Sequence, residues 1–537
     1  MKLKHILGLI LLITFNTISA QVKEVGTFYV WADQKVAITG EDVWVDGLVN
    51  HLGKNLKSIT IRLIDRNGDA KSEVDVTPQS NSFSGFLTIP ETLASDYYFL
   101  DCFSKGMPSS SRLQPIMVIN PRLAPLSNCP PSNYTANSTS TATIKINTSK
   151  EEYGPRAAVR INLDLPTALE QVTVSAIRYD MLAAKMDSLA SQFSLSFNHN
   201  SNGSLENEGQ LITVTAISNG APLKNVKLIA ALKGSKAVVG TSTTNEEGIA
   251  KFILPLTYDT RTLVISTLIE TKQRISFTVG KTGEEKQLIQ FACLELNENM
   301  RDAIESRMLN SRVSNRFFGS RLKTFEITER DTSDFYGKAD AVFQLDDYVR
   351  FPNMEEVISE IIPQVRVRKN KDESILQVLN SPYKTFFEDQ GLVLLDGVPV
   401  KNTLALLESD PLLIKSIEVV SKKYLQGNAD FNGIVHFKSY RGDMANFKPN
   451  LNDAPFQFNG IQESASFQNA DHAKLKDRLP DMRNLLWRET NISQEQIKAG
   501  LKYFTSDVEG SYKIIVRGIN ANKELVIGEK MITVVAQ

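Results

Sequence analysis

In KSITIRLIDRNGDAKSEVDV, Ile59, Ile61 and Leu63 fall on one face of an extended segment, and Asn67-Gly68 interrupts it before a second run begins. Alternation with period two around a tight turn specifies a β-hairpin. The same texture recurs over most of the chain. It limits the fold to small β-modules, each burying one face of its sheets. YVWADQKVAITGEDVWVDGLV (29–49) is a strand, a polar turn, a Gly-Glu pair and an alternating strand, and IKINTSKEEYGPRAAVRINLDL (144–165) repeats that plan. Two β-sandwiches of one type are the simplest solution.

The remaining boundaries follow from changes of texture. Residues 21–120 form the first sandwich, and the Pro/Ser/Asn/Thr-rich stretch 121–141 is a linker with almost nothing to bury. The second module spans 142–205, and a third β-sandwich spans 206–285. Within a connector at 286–334, ELNENMRDAIESRMLNSRVSNRFF places Met300, Ile304 and Met308 at helical spacing. A mixed α+β segment covers 335–442, a polar linker 443–475, and a strand-rich C-terminal domain 476–537. The expected class is mainly β and multidomain: tandem sandwiches plus one small α+β domain.

Residues 1–20 set the expected compartment. Lys2, Lys4 and His5 precede ILGLILLITF, and Ile18-Ser19-Ala20 ends in a small residue, the pattern of a cleaved secretory signal peptide. No later run reaches the ~20 apolar residues of a spanning helix. The expectation is an exported protein in the periplasm or associated with the outer membrane, without a transmembrane segment of its own. With 60 basic and 61 acidic residues, no charge block points to nucleic acid. Three cysteines are too few for a disulfide scaffold. Cys102 and Cys129 either pair across the edge of the first domain or remain two buried thiols, and Cys293 is the odd one out.

Catalytic chemistry leaves no constellation in the sequence. The five histidines are scattered, and none stands at metal-ligand spacing from Cys or an acid. His436 alternates with apolar residues in GIVHFKSY, which predicts a ring facing out from a strand. No G-x-S-x-G elbow, phosphate loop or CxxC pair is present. The reading is a non-enzyme with no catalytic residue, cofactor or metal.

Three resemblances add to this. The turn Gly40-Glu41-Asp42-Val43-Trp44 resembles the opening of the MG2 domain of the α2-macroglobulin superfamily, with Ala37 and Thr39 replacing the family's Tyr and Pro. The second copy keeps Tyr153 and Pro155 but carries Arg156 where Gly is usual. The block at 206–282 resembles a carboxypeptidase regulatory-like or macroglobulin-type sandwich. The tail, with Trp487 and Phe504-Thr505-Ser506-Asp507, resembles the macroglobulin domain that precedes the thioester region. No thioester motif occurs, which implies that a covalent protease trap is absent.

The most specific resemblance lies in 335–442, which is similar to the plug domain of TonB-dependent outer-membrane receptors of the SusC type. It rests on Asp396-Gly397-Val398-Pro399, Asp410-Pro411, Ile417-Glu418-Val419 and Asn432-Gly433-Ile434, in the family's order. Leu392–Leu395 is then a strand buried on both faces, Asp-Gly supplies the turn, and Pro399 ends the returning strand. Too few residues follow Tyr440 for a receptor barrel of ~22 strands, so the chain is not expected to be a transporter itself. The whole order resembles exported Bacteroidota proteins that combine both labels. These resemblances imply an envelope interaction scaffold whose plug-like domain docks on a protein partner: an outer-membrane barrel, or an export or assembly complex. The alternatives are an accessory to TonB-dependent transport and a protease-interacting macroglobulin relative.

Overall fold

A computed structural model describes residues 26–50, 58–79, 82–104, 109–125, 144–165, 169–199, 209–258, 260–268, 273–280, 288–319, 322–326, 333–369, 374–445, 447, 450, 452–474, 479–520 and 524–536. The signal-peptide expectation and most of the 121–141 linker lie outside them. The described residues form a mainly β, multidomain chain of sandwiches with one α+β module. No helix among them is long and apolar enough to cross a membrane.

The first sandwich packs a five-stranded sheet against a six-stranded one. The Asn67-Gly68 hairpin is formed: strands Ile59–Ile64 and Ala70–Val76 pair antiparallel, and Gly68 takes φ 77°. Ile59, Ile61 and Leu63 are fully buried in its core. Helices Met181–Gln192 and Arg301–Phe317, with the extended 289–294 segment, cover the outer face of this domain. Leu182, Met186, Phe291 and Met300 pack there on Tyr97, Phe99 and Met117.

The domain boundaries differ from the sequence reading in one instructive way. The segments 142–205 and 476–537 are not two domains. Strand Ala158–Asp164 pairs with Leu501–Phe504, and Glu170–Arg178 lies between Leu485–Ile492 and Gly510–Ile519. One core holds Val159 and Ile161 with Leu501, Tyr503 and Trp487. Neither half has enough strands to cover its own apolar face, so the second sandwich closes only when the chain returns. Strand Ser196–His199 also leaves its expected module and joins the first sandwich.

Everything between these halves is nested. The third sandwich uses strands from Gln210–Ser218 to Ile275–Gly280 and is completed by Ala454–Asn459, which pairs with Thr260–Thr267. The polar stretch at 443–475 is therefore not a bare linker: it supplies strands to two sandwiches. Within that insertion lies the α+β module, whose sheet runs Ala341–Gln344, Ile414–Val420, Ile434–Ser439, Leu392–Leu395, Val398–Pro399. Helices Met354–Ile361 and Thr403–Leu407 cover one face through Val357, Ile358, Leu406 and Leu407.

Of the two alternatives for Cys102 the structure shows the buried thiol, while the reading of Cys293 needs correction. Cys102 lies inside the first sandwich as a free, fully buried thiol, so it is not paired with Cys129. Burial pushes its pKa well up, with Asp101 adding to the effect. Cys293, read as the odd one out, is disulfide-bonded. Cys129 itself lies outside the described residues.

Candidate functional site

Leu392–Leu395 runs parallel to Ile434–Ser439 and then reverses at Asp396-Gly397, with Leu395 opposite Val398. Both turn residues are left-handed, φ 48° and 79°. That is the demand of a two-residue type I′ hairpin, which Asp-Gly meets at least cost. The strand alternates between two covers. Val393 and Leu395 enter the module's own core, while Leu392 and Leu394 meet Ile229, Ala231 and Val239 of the third sandwich.

The turn is pressed against that sandwich. The Asp396 carbonyl accepts from Gly234 N at 2.9 Å. A Cβ on Gly397 would come within 3.0 Å of the Leu232 carbonyl oxygen. The Asp396 carboxylate is completely buried and takes three donors: Ser439 N (2.7 Å), Ser439 Oγ (2.6 Å) and Met444 N (2.7 Å). Such full satisfaction is what lets a carboxylate sit in a core.

Beneath the turn runs a chain of hydrogen bonds whose directions are fixed by chemistry. Gly397 N donates to His436 Nε2 at 3.1 Å, so that nitrogen is an acceptor and the proton sits on Nδ1. Nδ1–H donates to Tyr336 Oη at 2.8 Å, and Tyr336 in turn donates to Glu418 Oε2 at 2.9 Å. Lys438 Nζ lies 2.6 Å from Glu418 Oε1 and 2.8 Å from Asp334 Oδ2. The other Asp334 oxygen accepts from Ala237 N of the third sandwich at 2.7 Å. Burial, with the Lys438 charge nearby, pushes the His436 imidazole down to about 3. Burial and the facing Asp334 and Glu418 push the Tyr336 phenol up. Burial works against the Lys438 cation, but its two carboxylate partners hold it above the ordinary lysine range.

Asp334, Glu418 and His436 have donor atoms close enough together to suggest a cation site. Each of those atoms is already committed, and the Lys438 ammonium bridges the two carboxylates. Lys438 therefore serves as the cation of this cluster, and the arrangement locks two domains together. Among the described residues it offers no open nucleophile or acid/base pair.

The motif residues separate into four roles. Asp396, Gly397 and Glu418 meet around His436. Val398, Pro399, Ile417, Val419 and Ile434 are buried sheet residues. Asp410 caps the turn that starts at Pro411, accepting from Leu412 N at 2.9 Å. Asn432-Gly433 sits at the other end of the same strand pair, where Gly433 (φ 82°) leaves room for Val378. His436 corrects the sequence reading: it is fully buried. Its side of the strand reads as solvent-facing only because the third sandwich that covers it lies far away in sequence. Asp334, Tyr336 and Lys438 were missed for the same reason, although the alternation of His436 with Lys438 was a usable signal.

The Gly40-Glu41 turn is a second buried joint. Gly40 has φ 87°, and Glu41 accepts from Ile38 N (2.9 Å) and from Asn484 Nδ2 of the second sandwich (3.3 Å). Burial raises the Glu41 pKa in spite of these donors, Ser311 and Arg307. Val43 is buried in the first core, while Trp44 packs against a tilted Phe86 and an edge-on Phe467 under the Arg488 guanidinium.

No protein-family model and no curated protein matches the chain. Solved structures match it at low similarity. The native conformation of E. coli α2-macroglobulin is 7% identical over 95% of this chain and 40% of its own, with a TM-score of 0.22. Salmonella α2-macroglobulin reacted with methylamine gives 7% identity, coverage of 96% and 40%, and a TM-score of 0.22. A tetra-tandem repeat from the extending region of a large adhesion protein is 8% identical over 96% of this chain and 100% of its own, with a TM-score of 0.15. The chain thus spans two fifths of the length of the macroglobulins.

Proposed function

We propose that this chain is a non-enzymatic interaction scaffold of the cell envelope, exported by its N-terminal segment and working in the periplasm or at the outer membrane. Its α+β module, which resembles a TonB-receptor plug, is the part that docks on an outer-membrane protein. One observation carries this reading: the Asp396-Gly397 end of the module is spent on holding the chain's own third sandwich. Docking therefore falls to the module's other surfaces, which expose Val349 (83%), Tyr383 (76%) and Leu412 (60%). Isolated apolar residues on a surface are ordinary, but Val349 and Leu412 flank one centre. Arg350, next to Val349, bonds the Pro411 and Ile414 carbonyls on either side of Leu412-Leu413.

The test is affinity capture from native envelope with the full chain and with a Val349→Asp/Leu412→Asp variant. An outer-membrane protein held by the first and lost by the second is expected. A monodisperse wild-type chain that captures no envelope protein would sink the proposal.

A further inference from the structure

Between strand Ile275–Gly280 and helix Arg301–Phe317, residues 288–297 form neither strand nor helix, yet part of this stretch is seated deep in the outer face of the first sandwich. Ile289 and Phe291 are fully buried, and Leu294 is buried beside them. The Phe291 ring meets Tyr97, Phe99 and Phe193 edge to face, at centroid distances of 5.0, 5.3 and 5.1 Å, the arrangement that aromatic quadrupoles favour. Arg66 grips the main chain of the stretch. Its carbonyl accepts from Ile289 N at 2.7 Å, and its guanidinium donates to the carbonyls of Phe291 and of Ala292, the latter at 2.7 Å. Asp96 holds that guanidinium in a fork, 2.7 Å from Nε and 2.6 Å from Nη2.

The same stretch is tied covalently. Cys293 is disulfide-bonded, whereas Cys102 is a free thiol. The sequence holds three cysteines, which leaves Cys129 as the partner. Cys129 follows a few residues after Pro125, close in sequence to the first sandwich's last strand, Gln114–Ile119. The bridge therefore joins the seated stretch to the domain that seats it, and limits how far it can lift. The two kinds of sulfur also differ in access. Cys293 is partly exposed between buried Phe291 and Leu294, while Cys102 lies wholly inside the core. Thiol–disulfide exchange requires an attacking thiolate to reach the sulfur, so it acts at Cys293 and spares Cys102.

We infer that the Cys293 disulfide is a redox latch on the first sandwich. Closed, it keeps 289–294 in the seat made by Arg66 and the aromatic rings; opened by a dithiol, it lets the stretch lift. In that step the S–S bond breaks and two electrons come from the dithiol, whose own sulfurs join. Its two protons end on Cys293 and the partner cysteine. The stretch runs directly into Met300, buried in the same cluster, and so into helix Arg301–Phe317. That helix meets the second sandwich through Arg307, 2.6 Å from Asp180, which follows strand Glu170–Arg178. Opening the latch thus loosens the connection between the third sandwich and this helix while both sandwich cores stay closed. These contacts do not involve the α+β module, so the latch is independent of how that module docks.

The experiment treats the full chain with dithiothreitol under native conditions, maps alkylated thiols by mass, and follows hydrogen exchange before and after. Expected are label on Cys129 and Cys293 after reduction, none on Cys102, and exchange in 289–294 faster by about tenfold or more. Strands Gly510–Ile519 and Leu525–Val534 should keep their protection, which shows that the fold survives. Cys293→Ser should exchange like the reduced chain, with or without dithiothreitol. Unchanged exchange in 289–294 on reduction would overturn the latch, as would a bridge that native dithiothreitol leaves closed or a variant that matches the oxidised chain. Label on Cys102, or protection lost throughout, would overturn it too, since the bridge would then be a staple of the whole fold.

Discussion

The joint between the first and second sandwiches and the joint between the third sandwich and the α+β module are both built on buried charge, but only the former relies on arginine. At the former, Arg488 holds Asp33 at 2.7 Å, also pairs with Asp46, and reaches Ser84 Oγ at 2.8 Å. Arg517 adds a contact to Asp33 at 3.4 Å. Guanidinium stays charged at any pH a protein survives. At the latter, one lysine serves two carboxylates, and the chain ends in a neutral imidazole. Two ways of satisfying buried polar groups thus predict two different responses to acid.

The largest expected effect is acid loosening of the second of these joints. The His436 pKa in the fold, about 3, lies below its unfolded value of 6.5. The imidazole is neutral in both states above pH 6.5 and contributes nothing there. As pH falls from 6.5 toward 3 the unfolded chain takes up a proton that the fold refuses, and stability drops by about 5 kcal/mol in all. The groups facing it, Tyr336, Glu418, Lys438 and Asp334, are the same in wild type and in a variant altered only at position 436. Subtracting a His436→Gln variant therefore isolates the ring. Urea unfolding from pH 7 to 4 should show wild type losing stability faster than the variant; parallel curves would refute the neutral imidazole.

Next in size is Arg488→Ala. Removing the guanidinium strands Asp46 and leaves Asp33 with only the longer Arg517 contact in a buried interface, a loss of about 3–5 kcal/mol when a buried pair is broken. Its signature is a lower urea midpoint with no shift toward acid instability. A loss below about 1 kcal/mol would show that water reaches this joint.

Gly397→Ala should cost about 2 kcal/mol, because an L-residue resists φ 79° and its Cβ would crowd the Leu232 carbonyl. Faster hydrogen exchange in 232–237 should accompany it. Unchanged exchange there would mean that the turn does not hold the third sandwich.

These contrasts also show what could be read from the chain alone. The Asn67-Gly68 and Asp396-Gly397 turns, the strand Leu392–Leu395 with two buried faces, and the helix carrying Ile304 and Met308 all depend on neighbours in sequence. Local propensity and period therefore reveal them. Pairing of Ala158–Asp164 with Leu501–Phe504 does not, since alternation says that a face is buried and not what buries it. His436 is the sharpest case. Its alternation was read correctly, but the face was assigned to solvent because its cover, Ile229 to Val239, comes from another domain. The same ignorance of covers left Cys102 open between a bridge and a buried thiol, and the structure makes it the thiol.

The smallest effect tests whether a buried acid must be an anion. Glu41 sits at the meeting of the first sandwich, helix Arg301–Phe317 and Asn484, and burial raises its pKa. A carboxyl whose pKa is higher in the fold than in the unfolded chain favours folding below its unfolded value. It loses that contribution as pH rises through the folded one. At neutral pH the charge is then a burden, unlike Asp396 with its three donors. Glu41→Gln keeps the shape and an oxygen for Ile38 N, so it should be neutral or stabilising by up to about 1 kcal/mol, with the gain growing toward alkaline pH. Thermal unfolding at pH 5 and pH 8 checks the sign. A variant less stable at pH 8 would mean that the anion is needed, with Arg307 and Ser311 as the groups that hold it.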